Sequence, residues 1–467
     1  MTPAAPDAPI ATDVQPGTAA PEASVGLGQR PPAAPWKWLV VIFLVAFGLR
    51  FGVILVDGSY QDPQTAGAME HRAIAQQLVE GNGFSFIEKW NGTQKTSVQS
   101  PPYPAILYVA FSVFGVDAPA AYLSAMVFNA VLGSLAAALT FLMAGRLGAG
   151  RSAALLAASL VAVWPTQVFL VTAAQAIAII TLAIVAATWL FYKSLDTGRV
   201  APWLAFGLIG CVGALAEPVL LPPMAFTGLL IFVWKSKLSF KQRFRNAAIL
   251  LGCAIVVLGP WTVRNYQVHE KFMPVKSTFW VNFWKANNPS ATGTDRIPAT
   301  PEQIEKGLDA GRQYDTLTAD QRAMLMGKNE VEREKQFQEW ATGWVKENPG
   351  EYVKMCFVRL GKTIWTDPHH PIGRKPAYLA LRAVFLVFTA FGLWWAIRNR
   401  WRLGMPALIA GCAFLMYTLT ITAARFTIPL EPFVLSFGAA GLIGVWNRKP
   451  GSGQADAPAD ASAGASA

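Results

Sequence analysis

Apolar runs long enough to cross a bilayer recur along most of this chain, and that recurrence decides what it can fold into. A spanning helix needs about 20 predominantly apolar residues. Lipid offers backbone N–H and C=O groups no water, so continuous runs of this kind become helices, whereas barrel strands would alternate. The runs lie at 36–56, 118–145, 151–171, 174–192, 201–216, 219–234, 246–262, 376–397, 403–421 and 427–446. Composition agrees: the 467 residues are 53% hydrophobic and 14% charged, where soluble domains carry nearly a quarter charged residues. The expected fold class is an all-α polytopic membrane protein with about ten transmembrane helices.

A further apolar stretch, "PPYPAILYVAFSVFG" (101–115), is too short to cross and reads as a juxtamembrane helix lying in or dipping into the outer leaflet. The charges depend on that reading. If 101–115 does not cross, the loops holding Arg146/Arg151, Lys193/Arg199, Lys235 to Arg245, Arg398 to Arg402 and Arg448/Lys449 all fall on one side. The positive-inside rule makes that side cytosolic. The net charge of +11 is thus distributed as membrane topology requires, and no nucleic-acid partner is expected.

The domains follow. Residues 1–35 and 447–467 read as disordered cytosolic tails, rich in Ala, Pro and Gly. Residues 36–262 form a membrane domain of seven spans with an outer loop at 57–117, 263–375 a large, mostly helical second outer loop, and 376–446 the last three spans. In that loop "TPEQ" (300–303) and "TADQ" (318–321) carry helix-capping signatures. The helix begun at the second is expected to run to about Glu347, with Phe337, Trp340 and Trp344 on one face packing onto the ends of the spans. Cys211, Cys253, Cys356 and Cys412 show neither metal nor disulfide spacing.

Candidate chemistry collects on the outer side. "AMEHRAIAQQLVEGNGFS" (68–85) sets Glu70, His71 and Arg72 side by side at the membrane surface; a solvated helix is the plain alternative. In "GPWTVRNYQVHEKF" (259–272) Pro260 is expected to end or kink the span, leaving Arg264 at headgroup depth, where it either meets phosphate or snorkels. "TAARFTIPLEP" (422–432) places Arg425 and Glu431 in a proline-broken turn, as a cavity lining or as an internal pair. "WTDPHHPIGRKP" (365–376) offers His369 and His370, adjacent and short of a third metal ligand. Arg50 is expected to snorkel, and Glu217 sits at an outer turn. No nucleotide-binding or HExxH motif is present.

The order of these segments resembles the C-type-fold (GT-C) membrane glycosyltransferases. It is most similar to the bacterial branch of family 39 related to protein O-mannosyltransferases, lipid A aminoarabinose transferase and the Rgt-type lipopolysaccharide sugar transferases. The likeness runs from Trp36 to Trp446 and rests on "EHRAIAQQLVEGNGFS", "SPPYPAILYVAFSVFG", "PWTVRNYQVHEKFMPVKSTFWVNFWKANNPSATG" and "ARFTIPLEP". It implies transfer of a sugar, hexose or pentose, from a polyprenyl-phosphate donor to a cell-envelope acceptor: lipid, polysaccharide or protein. Transfer would occur on the periplasmic side of a bacterial inner membrane. Glu70 would be the single base of an inverting reaction, with Arg264 and Arg425 on the donor phosphate. His71, Arg72, Tyr103, Gln175, Glu217, Asn265, His369, His370 and Glu431 would line the site. No cofactor is implied, and a divalent metal is left open. The chain departs from the family pattern at Met69, Gln175 and Glu217. A transporter or lipid flippase, and a polysaccharide polymerase or ligase of similar shape, are the other readings; the first would place ionisable groups at mid-membrane.

Overall fold

The computed structural model describes residues 35–447 apart from 68, 89–91, 235 and 307; the two expected tails, 1–34 and 448–467, lie outside the described residues. The chain is a helical, multi-pass membrane protein. α1 (Trp36–Asp57) is followed by α2 (Met69–Val79), a hairpin of β1 (Ser85–Glu88) and β2 (Gly92–Lys95), α3 (Pro102–Phe114) and α4 (Pro119–Leu147). The hairpin pairs Ser85 with Lys95 and Glu88 with Gly92. Next come α5 (Arg151–Val163), α6 (Pro165–Phe169), α7 (Ile177–Thr197), α8 (Val200–Ala216), α9 (Leu221–Leu230) and α10 (Phe240–His269). Helices α11 (Phe279–Lys285), α12 (Pro301–Glu305), α13 (Ala319–Leu325), α14 (Glu330–Glu347) and α15 (Pro349–Ile364) build the large section before α16 (Pro376–Arg398), α17 (Gly404–Leu419) and α18 (Glu431–Trp446).

Among the described residues six helices are long and apolar enough to cross a membrane, seven if the bent pair at α5 and α6 counts as one span. The other expected spans form shorter apolar helices at Val200–Ala216, Pro218–Leu230 and Gly404–Leu419. α3, with 13 residues, is only about 20 Å long, two-thirds of a hydrocarbon core. It buries Tyr103, Leu107, Ala110 and Phe111 against Tyr122, Ala125 and Met126 of α4 and leaves Val109, Val113 and Phe114 exposed.

Three expectations are corrected and one is narrowed. The run 151–171 is not one straight helix: α5 and the segment Pro165–Thr172 meet at 51°. Pro165 has no N–H to give the carbonyl four residues back. Arg50 does not snorkel; it is fully buried and donates to the carbonyls of Ala46 (3.1 Å), Val161 (3.2 Å) and Ala162 (3.0 Å). A guanidinium in lipid needs such acceptors, and the break exposes them. Of the two outcomes expected at Pro260, an end is excluded, since α10 continues through it to His269. Finally, 319–347 is not one helix: α13 stops at Leu325, Gly327 takes φ +74, and Asn329 opens a fresh capping box for α14. Phe337 and Trp340 then pack on Val281, Trp284 and Leu325, a separate small core in the large section rather than the ends of the spans.

Candidate active site

Neighbours on a helix point about 100° apart, so Glu70, His71 and Arg72 at the start of α2 serve three different surroundings. Glu70 stands in the first turn, where the helix dipole favours an anion. It is exposed, and its carboxylate accepts from Gln99 Nε2 at 3.0 Å. Arg72 turns the other way and grips Asp117 with two donors, Nε at 2.6 Å and Nη2, while Tyr122 Oη donates to the same carboxylate at 2.7 Å. The guanidinium holds the Asp117 carboxyl below the usual range. This pair ties α2 to the start of α4.

His71 points inward, its ring 5.1 Å from that of Tyr103 and tilted by 53°. Its Nδ1 is buried and has no hydrogen-bond partner. Burial, then the charges of Lys276 and Arg425, push its pKa down to about 3, so the ring is neutral at any physiological pH. Tyr103 is itself buried, its hydroxyl accepting from Asn129 Nδ2 at 2.9 Å.

The two cations that act on His71 differ in how they are held. Arg425 lies in the 3-10 turn between Ala424 and Leu430; it is exposed, stacks 5.9 Å over Phe426, and has no hydrogen bond or ion pair among the described residues. Lys276 follows α10 and pairs with Glu217, the C-cap of α8, at 3.4 Å. Glu431 forms no pair with Arg425. It is buried and accepts from Thr166 Oγ1 (2.6 Å) and Gln167 Nε2 (2.9 Å) of α6.

Arg264 is used differently from Arg425. Nη1 donates to the Thr96 carbonyl (2.7 Å), Ser97 Oγ (3.0 Å) and Asn265 Oδ1 (3.2 Å), and Nη2 to the Phe84 carbonyl (2.8 Å). The guanidinium also lies over the rings of Trp261 and Phe84, 4.9 and 5.4 Å from their centroids. Asn265 is buried and donates to the Met273 carbonyl at 2.9 Å. Arg264 thus joins α10 to the first loop, and Asn265 joins it both to that loop, its Oδ1 accepting from Ser97 Oγ at 2.7 Å, and to the segment after α10.

The remaining candidates are scattered. Gln175 is half-buried, its carbonyl accepting from Asn129 at 3.3 Å. His369 Nδ1 accepts from the Ala299 N–H (3.3 Å) and His370 Nδ1 from the Ile372 N–H (3.1 Å), so the two rings serve separate loops. Burial, followed by Arg296, lowers His370 to about 4. Beside them Lys362 and Asp367 form a buried pair at 2.9 Å. Among the described residues no three His, Cys, Asp or Glu side chains converge as metal ligands would.

Three residues that sequence reasoning did not single out belong to this region. Lys276 and Lys285 both lie in the stretch that carries the family resemblance, but nothing in their spacing marks them. Lys285 is half-buried on α11, 4.7 Å over the Tyr314 ring and 3.5 Å from Asn282 Oδ1. Burial lowers its pKa while Glu70 and Asp295 oppose the shift. Gln99, in "SVQSPP", becomes significant only through the fold that brings it to Glu70. A concavity of about 520 Å³ beside Ser239, Lys241, Gln242, Phe244 and Arg245 lies at the far end of α10 and touches none of these groups.

Short polar segments and a large helical section gathered at one end of a bundle of spans make up the C-type (GT-C) fold of membrane glycosyltransferases. The apo oligosaccharyltransferase of Archaeoglobus fulgidus shares it, with a TM-score of 0.50 at 13% identity over 89% of this chain and 51% of that one. The chain thus spans about half the length of that protein. ArnT from Cupriavidus metallidurans, solved bound to undecaprenyl phosphate, is more distant, at a TM-score of 0.40 and 13% identity over 88% of this chain and 79% of its own. No family model and no curated protein sequence matches the chain.

Proposed function

We propose that this protein is a glycosyltransferase that takes a sugar from a polyprenyl-phosphate donor and passes it to a cell-envelope acceptor. The reaction takes place on the periplasmic side of a bacterial inner membrane, and residues 57–117 form the catalytic loop. The observation that carries the reading is the exposed guanidinium of Arg425, unpartnered among the described residues, whose charge with that of Lys276 is felt at His71, the neighbour of an exposed carboxylate, Glu70. A free arginine at a bundle's end suits a phosphate oxygen, with which it forms short charge-assisted bonds. The shared fold of an oligosaccharyltransferase supports sugar transfer as the class of reaction.

The chemistry needs few groups. The acceptor hydroxyl gives its proton to Glu70 as its oxygen bonds to the anomeric carbon. The bond from that carbon to the phosphate oxygen breaks with inversion, and the charge left on the lipid phosphate is met by Arg425 and Lys276. Lys276 is released to the phosphate from Glu217. Arg264 takes no part in phosphate binding in this reading, because its donors already satisfy the first loop. The test is transfer from a polyprenyl-phosphate sugar in proteoliposomes, with the product weighed by mass spectrometry. Glu70→Gln should lower kcat by about a hundredfold or more at unchanged protein abundance. A fully active variant overturns the assignment of the base, and sugar-free passage of the lipid across the bilayer would favour a flippase.

A further inference from the structure

We infer that Glu330, in the large section, is a positioning residue for Glu70, acting through residues 96–99. The inference rests on the reading of Glu70 as the base.

The link is built from direct contacts. Glu330 is the first residue of α14 and is buried. Its Oε2 accepts from Thr96 Oγ1 at 2.5 Å and its Oε1 from the Ser97 N–H at 2.9 Å, across 234 positions of sequence. Thr96 and Ser97 are buried too. The Ser97 carbonyl accepts from the Ser277 N–H at 3.0 Å, so the peptide units on both sides of this residue are fixed. Arg264 holds the same strip from α10 through the Thr96 carbonyl and Ser97 Oγ, and His269 Nε2 lies 2.8 Å from that hydroxyl. Two residues further on, Gln99 donates to Glu70 at 3.0 Å, while its own Oε1 is buried without a partner. Glu70 is thus the one anchor of the Gln99 amide among the described residues, and Gln99 the one hydrogen-bond partner of the Glu70 carboxylate.

Glu330 stands in the first turn of α14, and its Oε1 also lies 3.6 Å from His269 Nε2 of α10, but the α14 cap does not need this acid. Its N-terminus is already closed by the capping box of Asn329 and Glu332, and its apolar face is served by Phe337 and Ala341. Taking a carboxylate from water costs several kcal/mol unless bonds replace the lost hydration. At Glu330 those bonds run to the strip that ends on Glu70. The geometry makes the large section a setter of the catalytic base, which otherwise stands exposed on a short helix.

The test is a double-mutant cycle on the full chain in proteoliposomes. It is read both as transfer kinetics and as hydrogen exchange of peptides covering 69–79 and 94–100. Glu330→Ala and Gln99→Ala should each lower kcat about tenfold, with the KM for the lipid donor within about twofold, and the double variant should fall no further, since residues acting as one unit are not additive. Glu330→Gln keeps an acceptor oxygen and should recover most of the rate. Exchange in 69–79 should rise in Glu330→Ala and stay unchanged in α7. The inference is overturned if the two losses multiply, or if exchange rises in 94–100 but not in 69–79. Should Glu330→Ala fail to fold, Thr96→Val removes one arm of the link and carries the same expectations. If Glu70→Gln proves fully active while 69–79 still responds to Glu330, the base assignment fails and the mechanical link stands.

Discussion

Replacing Arg264 by alanine separates two roles that a sequence cannot tell apart. As a phosphate ligand, the arginine would be dispensable for folding and its loss would appear in donor binding. The structure instead gives it four hydrogen bonds to protein acceptors and two aromatic neighbours. A hydrogen bond involving a charged group contributes about 1.5–3 kcal/mol when well buried, and a cation–π contact about 0.5–1 kcal/mol at an exposed site. Arg264 is half-buried, and the four bonds share one side chain, so we take about 1 kcal/mol for each bond rather than the upper value. The sum, about 4 kcal/mol, translates to a fall in Tm of roughly 8–16 °C by the scaling for domains of 150–250 residues. It includes the cost of leaving the carbonyls of Phe84 and Thr96 unpaired. The assay is thermal unfolding of the purified protein in detergent, alongside titration with a polyprenyl phosphate. Arg264→Ala should unfold early, and its folded fraction should bind lipid phosphate with an affinity within about threefold of the parent. A variant whose Tm moves by no more than about 1 °C, the range of an ordinary surface change, but whose phosphate binding is lost would refute the reasoning.

Two further variants test the site and its scaffold. Arg425→Ala removes an exposed, unpartnered guanidinium, so stability should hold within about 0.5 kcal/mol while the donor KM rises roughly tenfold to a hundredfold, the worth of one charge-assisted bond; an unchanged KM excludes it from the phosphate site. Glu334 accepts from the N–H groups of Trp280 and Val281 at the start of α11, and burial raises its pKa to about 8. Because the folded state holds that proton more tightly than the unfolded chain, its contribution is complete below about pH 4.5. It is lost as pH rises through 8. The side chain is only partly buried by surface area, so we expect about 2 kcal/mol, less than the full linkage value: Tm should drop between pH 6 and pH 9 in the parent and stay level in Glu334→Gln.

Six of the expected spans were legible because length and apolarity decide which helices can cross lipid, and α3 was legible as a short apolar helix. Capping signatures also transferred directly: Thr300 with Gln303 and Thr318 with Gln321 form the expected boxes. What the sequence hid was continuity. Residues 151–171 are apolar on both sides of Pro165, so hydropathy gave no sign of the 51° break; 319–347 is polar and helix-prone on both sides of Gly327, so periodicity gave no sign of the stop. The hairpin at 85–95 lacks the alternation of a half-buried strand, although Asn91-Gly92 is a strong turn pair. Residue type alone makes Arg50 a snorkelling arginine; its acceptors, the Val161 and Ala162 carbonyls, become available only at that break.

Arginine shows why the site itself was only half readable. Arg72, Arg264, Arg359 and Arg425 all stand near the ends of spans, and residue type gives each an equal claim on a phosphate. A guanidinium has five donors, and where they go decides the matter. Arg72 spends two on Asp117. Arg264 directs its donors to Phe84, Thr96, Ser97 and Asn265. Arg359 is fully buried and donates to the carbonyls of Thr418 and Ala286 and to Asn287 Oδ1. These three close the structure: removing Arg264 or Arg359 leaves protein carbonyls unpaired, at a cost of about 1–3 kcal/mol for each buried group, and removing Arg72 takes from Asp117 all but its bond from Tyr122. Arg425 alone of the four keeps its donors free while remaining within the field of a buried neutral histidine. An exposed guanidinium with no partner among the described residues is the one of the four left open to an anion from outside the chain, as the proposed phosphate site requires.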